Sequence, residues 1–276
     1  LEACRRASRF ATTWQPSPTS GPLSAAEVSA PPRRLACLVF AAGQLLMTVV
    51  FAVASLFTAP LPLLWRYRFI TQWCRYVIWS ARALCGVRHV VSGAEHIPAA
   101  PAVYLSRHES AWETLAFSQI LPPHVNVLKR ELLRIPFFGW GLALLAPIAI
   151  DRSAGRAALR QLEAQGRERV ARGFSVVIFP EGTRKPPGEP AEFFIGGAWL
   201  ACRLGLPVVP VAHDAGSRWP REALWKRPGT VHVVIGPPIH TAGRSAAAVN
   251  AEAKAWIDHR CAQLSAGDAH TGPAKS

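Results

Sequence analysis

Acidic side chains are scarce in this chain: 17 Asp and Glu stand against 31 Lys and Arg in 276 residues, a formal charge of +14 and a pI near 10.6. That imbalance favours a polyanionic partner: nucleic acid, an anionic bilayer or a phosphorylated substrate. Paired cysteines are missing as well. The six are scattered without a CxxC pair, which argues against a disulfide framework and against a zinc site. His89, His96, His124, His213, His232 and His240 show no mutual metal-ligand spacing and read as surface or locally bonded side chains. No recognisable RNA-binding motif and no internal repeat occurs, so charge alone does not make this a nucleic-acid protein.

Charge is absent altogether from Leu35 to Trp65. Within that stretch, Leu35 to Ala59 is long enough at ~1.5 Å per residue to cross a hydrocarbon core of ~30 Å. It exceeds the ~7–15-residue apolar core of a cleavable signal peptide, so a retained membrane segment is expected. Arginines flank it on both sides: Arg33 and Arg34 before, and Arg66, Arg68, Arg75 and Arg82 after. Such symmetry suits a helical hairpin in one leaflet as well as a single span, with Pro60 and Pro62 at the turn and a second, amphipathic helix near 69–84. Trp65, Trp73, Tyr76 and Trp79 fit an interface, or equally a helix packed on the next domain.

Half of the residues are hydrophobic, enough for one sizeable domain beside the membrane segment. Residues 1–34, rich in Arg, Ser, Thr and Pro, are expected to be a disordered basic tail, and residues 35–85 to be the anchoring helical segment. Beyond Gly86 short β-rich runs (102–105, 175–179, 208–211, 231–235) alternate with helical ones, which predicts an α/β domain over 86–264: a mixed sheet flanked by helices. Residues 153–172 read as a helix capped by Ser153 and ended by Gly173, and 245–264 as a closing helix before a frayed tail at 265–276.

Two clusters follow strand candidates directly, where functional groups leave an α/β sheet. The first is Ser106-Arg107-His108-Glu109-Ser110-Ala111-Trp112-Glu113. On one regular helix His108 and Glu113 would point about 140° apart, so they meet only if His108 lies in the turn before a helix that starts near Glu113. There the carboxylate can hold one ring nitrogen as a donor and leave the other to accept a hydroxyl proton. The second cluster is Phe179-Pro180-Glu181-Gly182-Thr183-Arg184, in which Gly182 permits close backbone approach, Thr183 offers a hydroxyl and Arg184 a planar fork suited to phosphate oxygens.

Together the clusters resemble the 1-acyl-sn-glycerol-3-phosphate acyltransferase family, whose first signature is a histidine followed after four residues by an acid and whose third reads FPEGTR. Ile150-Asp151-Arg152 is similar to the second block and Leu206-Pro207-Val208-Val209-Pro210-Val211 to the fourth, in the family's order. The resemblance implies that His108, with Glu113 as partner, deprotonates an acceptor hydroxyl that attacks an acyl thioester. It also implies that Arg152 and Arg184 hold the substrate phosphate while Glu181, Gly182 and Thr183 complete that loop. Further, it implies no cofactor beyond acyl-CoA or acyl carrier protein as co-substrate, lysophosphatidic acid as acceptor, and a cell-membrane protein whose catalytic domain faces the cytoplasm.

The chain departs from the family in three places. Its first acid is Glu113 where Asp is commoner, Ser106-Arg107 replaces the usual Asn before histidine, and Phe194-Ile195-Gly196 lacks the lysine often found before that glycine. Lys129 is a candidate for the missing cation, or a solvent-facing charge like Arg130. Phe137, Phe138, Trp140, Leu142, Leu144 and Leu145 either line an acyl tunnel or belong to the core. Glycerol 3-phosphate or another lysolipid as acceptor, and a non-catalytic protein that binds anionic lipid, are the alternatives.

Overall fold

The computed structural model describes residues 31–151 and 154–270. Two antiparallel-running helices come first: α1 (Arg34–Leu56) and α2 (Leu63–Cys85), joined across Pro60 and Pro62. Pro62 caps the start of α2, where its missing N–H costs nothing, so this helix begins six residues before the amphipathic pattern predicted. Leu63, Tyr67, Ile70, Cys74, Val77, Ile78 and Ala81 recur at three- and four-residue intervals and are the buried stripe of α2. By contrast α1 buries only Cys37, Phe40, Ala52 and Ser55, and exposes Leu35, Leu45, Leu46, Val50 and Leu56 among others.

The domain that follows contains strands β1 (Val87–Ser92), β2 (Val103–Ser106), β3 (His124–Lys129), β4 (Ile148–Ile150), β5 (Ser175–Ile178), β6 (Val208–His213) and β7 (Gly229–Ile235). They form one seven-stranded sheet in the order β1-β7-β6-β2-β5-β3-β4. All neighbours are parallel except β6 and β7, so the sheet is mixed. Its central strands are apolar on both faces, as strands covered twice must be. Tyr104, Val177 and Val209 pack with α2 and with α3 (Trp112–Ile120) on one face. Val103, Leu105, Val176 and Val208 pack on the other face, against α5 (Arg156–Ala171), α6 (Gly196–Leu204) and α8 (Ala246–His270). The short helices α4 (Phe138–Leu144) and α7 (Ala215–Arg218) lie in connections between strands.

Two further boundaries differ from the sequence reading. The helix expected from Ser153 begins at Arg156 with Gly155 before it, and Ser153 itself lies outside the described residues. The closing helix runs on to His270, six residues past Leu264, so the segment expected to fray from 265 is helical that far; 271–276 and the tail over 1–30 lie outside the described residues. Ala-rich composition through this last helix carries propensity beyond the last buried contact at Cys261.

Candidate active site

Strand pairing brings the two clusters together. Parallel strands β2 and β5 are neighbours, with Leu105 level with Ile178, so the chain leaves both at the same edge of the sheet. On the other side of β2, Ser106 is level with Val211 of β6, which ends at His213. Three strand ends therefore deliver residues 107–111, 179–184 and 213–214 side by side.

α3 begins at Trp112, so His108 lies in the turn before it and Glu113 in its first turn, as their meeting requires. The His108 ring approaches Glu113 Oε1 through Nδ1 at 2.8 Å. The same oxygen accepts the backbone N–H groups of Glu109 at 3.1 Å and Ser110 at 2.9 Å, donors that a helix start leaves free. Ser110 Oγ in turn accepts the Trp112 N–H at 3.0 Å and fixes the turn. Burial alone would push the fully enclosed Glu113 carboxyl up, but the His108 hydrogen bond leads a set of opposing effects and the balance falls below the ordinary value. An ionised Glu113 only accepts, so Nδ1 carries the hydrogen and Nε2 presents a lone pair. Phe179 stacks on the ring with centroids 4.3 Å apart, and 17% of the histidine side chain remains exposed.

Beneath this pair lies a buried charge cluster that the sequence did not announce. The Arg107 guanidinium sits 3.2 Å from Glu181 Oε1 and 3.6 Å from Glu109 Oε1, and donates to the Glu189 carbonyl at 2.6 Å. Glu181 Oε2 accepts the His108 N–H at 2.7 Å, and the His108 carbonyl accepts the Lys185 N–H at 2.7 Å. Glu109 Oε2 accepts the Gly216 N–H at 3.2 Å. His213, with no exposed surface, donates from Nε2 to the Arg107 carbonyl at 2.9 Å and accepts the Ala215 N–H at Nδ1. It is buried rather than at the surface, and joins a local bond at Nδ1 to a cross-strand one at Nε2.

One guanidinium thus serves two carboxylates out of water. Burial pushes Glu181 up to about 7, against the opposing pull of the His108 N–H and Arg107, and pushes Glu109 up as well. In the folded chain Glu181 keeps its proton to about pH 7, whereas the ordinary carboxyl releases it near 4.5. The folded state therefore binds the extra proton in that window, and this group's contribution to stability is present below about pH 4.5 and lost as pH rises through about 7. Glu181→Gln should remove that slope. Denaturant unfolding of parent and variant between pH 4.5 and 8 checks it: the same fall in both would assign the pH dependence elsewhere.

The second loop turns outward after Glu181. Gly182 has φ +70, a conformation that favours glycine, and lets the chain swing Thr183 and Arg184 to the surface. Arg184 is half-buried, and its Nε has no hydrogen-bond partner among the described residues, while its carbonyl accepts from Arg221 Nη1 at 3.2 Å. Such a guanidinium has donors to offer an anion. Lys129 is exposed at the end of β3, one strand beyond β5. Arg130 is bonded to Asp151 Oδ2 at 2.9 Å, and Arg152 lies outside the described residues. Glu181, grouped with the phosphate-holding residues by sequence, points inward under His108 instead.

One apolar cavity adjoins the second loop and another lies behind the helix that carries Glu113. The first, of about 300 Å³, lies between the second loop and α5, lined by Ile150, Leu162, Phe179, Gly182, Phe194 and Gly197. The other, of about 130 Å³, lies where α1, α2, α3 and α4 meet, and Thr114, next to Glu113, forms part of its wall. Phe137, Phe138, Leu142 and Leu145 line the latter, whereas Trp140 and Leu144 do not.

Residues 88–214, which hold both loops, match the acyltransferase family. The chain is 51% identical over 221 residues to the 1-acyl-sn-glycerol-3-phosphate acyltransferase of Pseudomonas aeruginosa, covering 78% of this chain and 86% of that protein. It is 31% identical over 173 residues to 1-acyl-sn-glycerol-3-phosphate acyltransferase alpha of Mus musculus, over 61% of each. Its fold is similar to the crystal structure of the 1-acyl-sn-glycerophosphate acyltransferase of Thermotoga maritima, with TM-score 0.70, 23% identity and coverage of 84% of this chain and 95% of that one.

Proposed function

From the premise that the chain belongs to the 1-acyl-sn-glycerol-3-phosphate acyltransferase family and is an enzyme of that type, we propose that it moves a fatty acyl group from a thioester, acyl-CoA or acyl carrier protein, to the sn-2 hydroxyl of lysophosphatidic acid. The product is phosphatidic acid, for phospholipid synthesis. The observation that carries the reading is a histidine oriented by a buried carboxylate, with no hydrogen-bond partner for Nε2 among the described residues, beside a loop whose arginine likewise has a donor without a partner among them.

The acceptor hydroxyl hydrogen-bonds to His108 Nε2, and its oxygen attacks the thioester carbonyl as Nε2 takes the proton. Glu113 steadies the imidazolium formed in this step. Collapse of the tetrahedral intermediate breaks the carbon–sulfur bond, and His108 returns the proton to the leaving thiolate. With base and partner both on the chain, the proposal gives no metal or prosthetic group a role. Arg184 holds the acceptor phosphate, assisted by Thr183, Gly182 and Arg152, with Lys129 as a further cation at the same sheet edge. Apolar cavities beside the second loop and beside α3 support an acyl substrate.

The outward face of α1 supports attachment to the cell membrane, and the catalytic domain is assigned to the cytoplasmic side, where thioester donors are made. Purified protein given lysophosphatidic acid and labelled acyl-CoA should form phosphatidic acid. Arg184→Ala should raise the acceptor KM by ~10-fold or more while changing the donor KM little, because paired charged hydrogen bonds are worth about 1.5–3 kcal/mol. Equal turnover of glycerol 3-phosphate, or an unchanged acceptor KM in a folded variant, would refute the acceptor assignment.

A further inference from the structure

The connection between β3 and β4 carries large apolar side chains where a soluble surface would carry polar ones. Leu132, Ile135, Phe137, Phe138 and Trp140 are each 37–43% exposed, all within a nine-residue stretch. The segment is tightly folded rather than loose. Residues Arg130–Arg134 form a 3-10 turn, Phe137 reverses the chain at φ +61, and a methyl group at Gly139 would come within 2.4 Å of the Leu133 carbonyl oxygen. Such a fold holds these side chains outward by its backbone.

Its position is continuous with α1. Phe51 and Ala52 of α1 share a cavity wall with Phe137, Phe138 and Leu142, and the Trp73 ring of α2 lies edge-on to Phe138 at 6.4 Å. Next to them α1 exposes Val50, Val53 and Leu56, followed by Phe57. Exposed apolar side chains of α1 and of the β3–β4 connection therefore flank one shared cavity. Exposed Lys129 and Arg134 border these side chains, a pattern of apolar body and cationic rim that matches an anionic lipid surface.

We propose that residues 130–144 are a second bilayer-seating element, which inserts Ile135, Phe137 and Trp140 below the headgroups and fixes the tilt of the catalytic domain over the lipid. This rests on the membrane assignment of α1, but the element belongs to the catalytic domain and is separated from α1 in sequence by α2, α3 and three strands. Seated so, the wall of the cavity beside Thr114 meets the acyl region directly, and a lipid acceptor need not leave the bilayer to approach His108.

The test places a nitrobenzoxadiazole probe on the full chain through Trp140→Cys, with Ile135→Cys as an independent second position. Leu45→Cys on α1 reports the anchor, and Ala247→Cys on exposed α8 reports water; labelling of the unsubstituted chain gives the background to subtract. Each is reconstituted as a single copy in nanodiscs of phosphatidylethanolamine and phosphatidylglycerol. Spin labels on the lipid acyl chains should cut emission at positions 45, 135 and 140 about twofold or more, while iodide quenches only position 247. Quenching at 45 alone, with 135 and 140 behaving like 247, would overturn this inference and leave the anchor standing. Loss of lipid quenching at all three would overturn both. Protection of 135 and 140 only in discs that hold two copies would assign the face to a second chain and overturn the inference too.

Discussion

His108→Ala should abolish acyl transfer, lowering kcat by ~10²- to 10⁴-fold, with thermal melting and membrane retention close to those of the parent. Among the described residues the ring makes one side-chain hydrogen bond and one stacking contact, with Glu113 and Phe179, and it is partly open to solvent, so its removal leaves no large core void. The backbone N–H and carbonyl that tie residue 108 to the second loop survive the substitution. Initial rates with saturating donor and acceptor decide the matter. A folded variant that turns over near the parent rate would remove the histidine from the proposed chemistry.

Glu113 variants should separate charge from reach. Glu113→Gln keeps an oxygen that can accept from His108 Nδ1 and from the Glu109 and Ser110 N–H groups, but it no longer carries the charge that favours the imidazolium, so kcat should fall by ~10²-fold or more with KM nearly unchanged. Glu113→Asp retains the charge on a side chain one methylene shorter. Oε1 is pinned by three donors at 2.8–3.1 Å from a helix whose first turn is fixed by Trp112, a fully buried residue. A carboxylate drawn back by roughly 1.5 Å cannot keep all three within the ~3.2 Å limit of a good hydrogen bond. Aspartate should therefore also be impaired, although it is the commoner acid of the family the sequence resembles. Aspartate activity equal to the parent would mean that the turn adapts to either length.

Much of this site could be read in the chain because its constraints are local. Only four residues separate His108 from Glu113, a spacing that permits contact only across a helix start, and the strand-like runs before both clusters place them at the end of a sheet. The second cluster was legible for the same reason. Arg107, Glu109 and His213 were not. A charged residue in sequence reads as solvated unless its burial is known, and theirs depends on β2 lying between β5 and β6, a choice of neighbours set by residues more than 70 positions apart. Glu181 was misplaced for a related reason: only the parallel register of β2 with β5 puts its carboxylate under the His108 N–H rather than beside an anion. Helix starts were hard to fix where a proline or glycine, rather than a polar cap, sets them, as at Pro62 and Gly155.

The peptide groups on either side of the His108 α-carbon are both spoken for by the other loop, one through Glu181 and one through Lys185. Neither loop can therefore breathe alone. A fluctuation that loosens residues 179–185 also loosens the setting of His108, so the two open and close as one cooperative unit. An acceptor bound to either loop should therefore steady the other as well.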